Sequence, residues 1–215
     1  MKIQILLDKN SWGQEYKDII IKKLKKFTKK IIILNNHTKL KKKFTICLVF
    51  SYFKKIPSKY LGYSMFNLIT HESNLPKGMG MSPLTWQILA GRKIITFSLI
   101  EASNKIDRGK IYFKKKVNFN KNLLFKEIKK VQFDNNINLI FKFLNYYKKH
   151  NKSPKSYTPK GKPSYYKLRN ETDSLVDINK NIKSQFDLLR SVDNKKYPAF
   201  FYYKKRKYYL RVDDK

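Results

Sequence analysis

The stretch from His71 to Gly109, HESNLPKGMGMSPLTWQILAGRKIITFSLIEASNKIDRG, decides how this chain is read. A strand-like run, Phe66 to Thr70 (FNLIT), delivers His71 to a loop broken by Pro76, Gly78, Gly80 and Pro83. A short helix over Ser82 to Ala90 and a strongly β-branched strand over Lys93 to Ile100 follow. The chain then turns through Asn104 to Asp107-Arg108-Gly109. Open α/β sheets gather their sites at the carboxyl edge of the strands. If the two strands pair, a histidine ending one and an aspartate just past the next lie side by side, and His71 and Asp107 can touch.

Outward toward the N-terminus, Lys2 to Leu7 reads as a first buried strand ended by Asp8, with Ser11 placed to cap the next helix. In that helix Trp12, Tyr16, Ile19, Ile20, Leu24 and Phe27 recur at helical spacing, with lysines opposite, so it should lie against the sheet. Ile31 to Leu34 and Phe44 to Phe50 are the second and third strands, and Pro57 opens a turn or short helix through Leu61. This alternation predicts an α/β fold: a Rossmann-like, mostly parallel sheet flanked by helices. Toward the C-terminus, Lys110 to Phe119 reads as an edge strand or hairpin arm. A long helix from about Asn122 to Lys149 buries Phe133, Ile137, Ile140, Phe141 and Leu144. Pro154, Pro159, Gly161 and Pro163 mark residues 151–163 as a linker between a catalytic domain over 1–150 and a small C-terminal α+β appendage, a helix and a β-hairpin, over 164–215.

The composition, 41% hydrophobic and 15% aromatic over 215 residues, suits a folded chain with one core of ordinary size. The net charge of +34 invites a nucleic-acid reading, but only Arg92, Arg108, Arg169, Arg190, Arg206 and Arg211 of the 49 basic residues are arginine. Arginine is the preferred fork for phosphates and bases, and the lysines are spread over almost every segment. A solvated basic surface is therefore favoured over a dedicated nucleic-acid face. No glycine-rich phosphate loop follows the first strand, which disfavours a nicotinamide cofactor. His37, His71 and His150 are dispersed and Cys47 stands alone in FTICLVF, so no metal set is expected. His37 and His150 read as surface residues. With no signal-peptide pattern, no long apolar run and a lone buried cysteine, a cytoplasmic protein without a membrane span is expected.

His71-x-Ser73-x-Leu75-Pro76, then Gly80 and Pro83, then Asp107-x-Gly109 thirty-six residues after the histidine, resembles the signature of the folate-dependent formyltransferases. That family includes methionyl-tRNA formyltransferase and the sugar N-formyltransferases. Leu168 to Val212 resembles a second segment of the family, through Arg169, the acidic stretch around Asp173, the helix leading to Leu189-Arg190, then Tyr197-Pro198-Ala199-Phe200 and a hairpin. Together the two matches cover roughly 66–212. The family's usual trio is Asn-x-His plus the distant Asp. Here Ile69 stands two before His71, and Asn67, on the same face, is roughly 13 Å from His71 along the strand. The family's Arg-Gly is Met79-Gly80 here.

The resemblance implies 10-formyltetrahydrofolate as co-substrate, with His71 and Asp107 catalytic. Asp107 would orient His71 and help remove the amine proton. It implies accessory roles for Ser73 and Asn104, folate binding by Leu75, Pro76, Gly78, Gly80 and Pro83, and substrate binding by Arg169. Where the family's Asn is missing, an oxyanion donor could come from the Gly78–Gly80 amides, from protonated His71 or from Asn104; His71 assisted by the loop is the favoured source. The expected acceptor is an amine on a nucleotide-linked amino sugar, because the tRNA enzyme continues into a β-barrel of which only a fragment remains here. The alternatives are methionyl-tRNA formyltransferase and, in another class, a basic nucleic-acid-binding protein with a degenerate site. A homodimer through the C-terminal segment is compatible with the family.

Overall fold

The structure is a computed structural model that describes residues 1–213. Strands β1 (Ile3–Leu6), β2 (Ile31–Leu34), β3 (Phe44–Val49) and β4 (Ser64–His71) pair in parallel, joined by β6 (Ile94–Glu101) and β7 (Ile111–Asn118), which run antiparallel. The six-stranded order is β2-β1-β3-β4-β6-β7, with β7 the expected edge strand. The apolar runs are buried because both faces are covered. On one face α1 (Lys17–Leu24), preceded by a 3-10 turn over Trp12–Tyr16, and α4 (Phe125–His150) enclose a core containing Ile3, Ile5, Leu48, Leu68, Phe97, Leu99, Phe133, Ile137 and Leu144. On the other face Leu6, Leu40, Cys47, Val49 and Ile56 form a second cluster, near α2 (Ser58–Leu61).

Several local expectations shift. The stripe on α1 omits Ile19, which is 44% exposed; Ile20 and Leu24 make the contact. Ser11 precedes the 3-10 turn, but its Oγ donates to the Asp8 carbonyl instead of capping the helix. His37 is half-buried, with Nδ1 2.8 Å from the Tyr52 hydroxyl, while His150 is exposed.

Residues 151–163 follow α4 along the sheet. Tyr157 exchanges backbone hydrogen bonds with Ile111, and the Ser164 N–H donates to the Pro76 carbonyl. Just beyond, β8 (Tyr165–Tyr166) pairs in parallel with β5 (Met79–Gly80), so the chain after α4 is sewn onto the loop that follows His71. The final elements are α5 (Ile182–Ser191) and the hairpin of β9 (Ala199–Tyr203) and β10 (Arg206–Leu210). Leu189, Val192 and Ala199 are buried there, whereas Ile182, the first residue of α5, is 68% exposed.

Candidate active site

His71 is the last residue of β4 and Ser98 of β6 faces it in register. Because β6 is antiparallel, its end at Glu101 lies opposite Leu68, back along β4 and away from His71. Pairing alone therefore does not bring Asp107 to the histidine, contrary to the simple edge expectation. A loop does so: the Ala102 N–H donates to the Asn67 carbonyl and the chain then folds back to Asp107. Two glycines permit this path. A Cβ at Gly109 would overlap the Glu101 carbonyl, and one at Gly80, where φ is +96°, would overlap the Tyr166 carbonyl. Asp107 itself sits in the left-handed region, φ 52°, which aspartate tolerates better than most residues.

The result is a buried pair. His71 Nδ1 lies 3.6 Å from Asp107 Oδ1, and Asp107 Oδ2 accepts the Gly80 N–H at 2.8 Å. The other ring nitrogen, Nε2, is 2.8 Å from the Gly78 carbonyl. A carbonyl only accepts, so Nε2 carries a proton and the ring is anchored by backbone. Nδ1 is then the ring nitrogen left facing Asp107. Its distance to Asp107 exceeds a direct hydrogen bond, leaving a gap flanked by a ring nitrogen and a carboxylate oxygen. The orienting partner of His71 is thus Gly78, a role the sequence pattern did not suggest.

A cavity of about 300 Å³ opens over the carboxyl ends of β3 and β4 and contains His71, Asp107, Gly80, Pro83 and Ile69 in its lining. The expected residues divide around it. Ser73 is buried just behind, its carbonyl accepting from Ser98 Oγ, while its own Oγ has no partner among the described residues. Leu75 packs with Met79, Ile100 and Ile111 in a small core, and neither it nor Pro76 nor Gly78 lines the cavity, contrary to the expectation of direct folate contact. Asn104 is exposed and outside the lining. Arg169 turns to the Asp173 carbonyl at 2.8 Å and lies 5.9 Å from the Trp86 ring centre. Asn67 donates to the Leu61 carbonyl and is spent on structure.

Sequence reasoning missed several polar lining residues. Glu72 is buried next to His71, and Gln132, Asn136 and Lys129 reach the cavity from α4. Burial pulls the Lys129 ammonium down to about 8, partly offset by the Glu72 charge. Glu101 also lines the cavity; burial raises its carboxyl, opposed by hydrogen bonds from the Asn67 N–H and the Tyr112 hydroxyl. The signal for the α4 residues was present as polar breaks at 129, 132 and 136 in an otherwise apolar stripe. Among the described residues no group of three or more His, Cys, Asp or Glu could hold a metal ion, and no helix is long and apolar enough to cross a membrane.

No protein-family profile matches the chain. In sequence it is 30% identical over 161 residues to the bifunctional polymyxin resistance protein ArnA of Wigglesworthia glossinidia brevipalpis, a match that takes in 73% of this chain and 24% of that protein. The chain thus spans about a quarter of that relative's length. In structure it superposes on a methionyl-tRNA formyltransferase from Clostridium thermocellum with a TM-score of 0.80, at 20% identity, covering 99% of this chain and 92% of that one. The chain has the formyltransferase fold. A sugar N-formyltransferase from Shewanella sp. FDAARGOS_354 shares this fold, with a TM-score of 0.69 at 15% identity over 100% and 98% of the two chains. So does HypX from Aquifex aeolicus in complex with tetrahydrofolic acid, with a TM-score of 0.78 at 17% identity over 99% and 37%. Within the formyltransferase fold the tRNA enzyme's chain is almost wholly covered, so length does not separate the two acceptor classes as the sequence alone suggested.

Proposed function

We propose that the protein transfers a formyl group from 10-formyltetrahydrofolate to the amine of a nucleotide-linked amino sugar. The observation that carries this reading is the His71–Asp107 pair, 3.6 Å apart and open to a cavity at the sheet's carboxyl edge, in a formyltransferase fold. The co-substrate supplies an electrophilic formyl carbon when bound. The residues present fit it: Phe53, Ile56, Ile69 and Ile100 give the cavity an apolar wall suited to a flat ring, beside the paired polar groups.

With Nε2 committed to Gly78, His71 offers Nδ1 to the reacting atoms, as a base when the ring is neutral and as a donor when it is protonated. Asp107, its second oxygen held by the Gly80 N–H, keeps the first oxygen facing the same gap and can take the amine proton directly or through water. Ile69 is on the same face of β4 as His71, two residues back, and presents hydrocarbon to the cavity, where the family's asparagine would place a donor. Protonated Nδ1 is the donor at hand for developing oxygen charge.

Incubating the protein with 10-formyltetrahydrofolate and a panel of nucleotide-linked 3-amino and 4-amino sugars should release tetrahydrofolate with at least one of them. Activity on methionyl-tRNA alone would move the assignment to the tRNA enzyme, which the coverage of the Clostridium structure supports as the second reading. Absence of folate affinity together with salt-sensitive nucleic-acid binding would favour a basic binding protein.

A further inference from the structure

The cavity has two walls of unlike chemistry. The apolar wall of Phe53, Ile56, Ile69 and Ile100 is described above. Also in the lining, a hydrogen-bonded chain runs along α4. Lys129 Nζ donates to Gln132 Oε1 at 2.9 Å, Gln132 Nε2 donates to Glu72 Oε1 at 2.8 Å, and Asn136 Nδ2 donates to the same oxygen at 2.8 Å. Glu72, Gln132 and Asn136 are 7%, 5% and 2% exposed, and all three line the cavity.

This network is incomplete in one direction only. A carboxylate accepts and does not donate, so Glu72 fixes the Asn136 amide with Nδ2 toward itself and Oδ1 turned away. That Oδ1 is buried with no hydrogen-bond partner among the described residues. Glu72 uses Oε1 for both amides, and among the described residues nothing donates to Oε2. An unpaired buried acceptor is destabilising, and a helix facing a core would avoid it with leucine. Both unfilled positions are acceptors, so the missing group is a donor.

We infer that Glu72, held in place by Gln132 and Asn136, forms a subsite that reads the acceptor sugar, receiving from it at Oε2 a hydroxyl or ammonium group other than the amine that is formylated. The inference rests on the formyl-transfer reading above and adds a specificity determinant to it. A sugar offers several donors and little apolar surface, which suits this wall; a flat folate ring suits the other. The group held here is distinct from the reacting amine because Glu72 lies past the end of β4 with its carboxylate bound to Gln132 and Asn136 of α4, whereas His71 Nδ1 faces Asp107. A group seated at Glu72 does not also occupy the gap between His71 and Asp107.

Glu72→Gln is the discriminating variant. Its Oε1 can still accept both amides while Nε2 takes the cavity-facing position, replacing an acceptor by a donor without changing shape. Asn136→Leu removes the unpaired acceptor outright. Both are to be compared with the wild type for melting temperature, tetrahydrofolate affinity by calorimetry, and kinetics on the panel member that the wild type turns over best. The expected result for Glu72→Gln is an acceptor KM raised about tenfold or more, kcat changed far less, and tetrahydrofolate affinity unchanged. Asn136→Leu should behave likewise; if it fails to fold, Glu72→Gln decides alone. An unchanged acceptor KM, or a tenfold loss of tetrahydrofolate affinity, would overturn the inference while leaving formyl transfer intact. A wild type that neither turns over nor binds any panel member would overturn the sugar reading, and this subsite's ligand with it.

Discussion

The His71 ring is pinned at Nε2 by the Gly78 carbonyl, 2.8 Å away, and this leaves Nδ1 facing Asp107 across 3.6 Å. The histidine is therefore oriented by the backbone of its own loop, seven residues on. Asp107 is free to act on whatever enters between them.

The loop geometry makes Gly80 critical. Alanine there would combine a strained positive φ with overlap on the Tyr166 carbonyl, and would displace the N–H that holds Asp107. Gly80→Ala should cost more than about 1 kcal/mol in urea denaturation and depress turnover as well. Wild-type stability in this variant would show that the strand pair Met79–Gly80 with Tyr165–Tyr166 is not needed.

Asn104 is the residue whose expected role the structure favours least. It is exposed and lies outside the cavity, so Asn104→Ala should leave turnover within about threefold and stability within about 0.5 kcal/mol. A loss of a hundredfold in turnover at unchanged folate affinity would instead make it the oxyanion donor.

Lys129 gives a pH signature. Burial lowers its pKa to about 8, below the ordinary lysine value it regains on unfolding. From about pH 8 to about pH 10.4 the unfolded chain holds this proton more tightly, so the group's contribution to stability rises with pH. Lys129→Met removes the titration. The stability difference between variant and wild type should shift in favour of the wild type on going from pH 7 to pH 10. A difference independent of pH would contradict the burial of the ammonium.

Cys47 is fully buried in β3 and burial pushes its thiol up to about 12. At pH 8 it should resist alkylation in the folded protein and react readily in denaturant. Rapid modification of the native protein would mean that β3 opens.

Much of the sheet was legible because its strands are short β-branched runs with period or burial signals of their own: Ile31–Leu34, Phe44–Val49 and Ile94–Glu101 fall where the pattern puts them. The antiparallel direction of β6 was not legible, since direction depends on how the chain crosses the sheet and leaves no mark in the strand itself. The pairing of Met79–Gly80 with Tyr165–Tyr166 was invisible for a related reason, being two residues long on each side and far apart in sequence. At the site, His71 and Asp107 were marked by spacing. Glu72 and Asn136 were not, because sixty-four residues separate them and only the packing of α4 on β4 brings them together.

The most direct measurement compares wild type and Asp107→Asn in release of tetrahydrofolate from 10-formyltetrahydrofolate in the presence of the accepted amino sugar, with tetrahydrofolate affinity measured on the same samples. Asparagine can still receive the Gly80 N–H through its oxygen, so the loop and the ligand affinity should persist. Turnover should fall by about a thousandfold or more, on the scale of losses seen when a carboxylate beside a catalytic imidazole is replaced. Full activity in Asp107→Asn would contradict the placing of formyl transfer between His71 and Asp107.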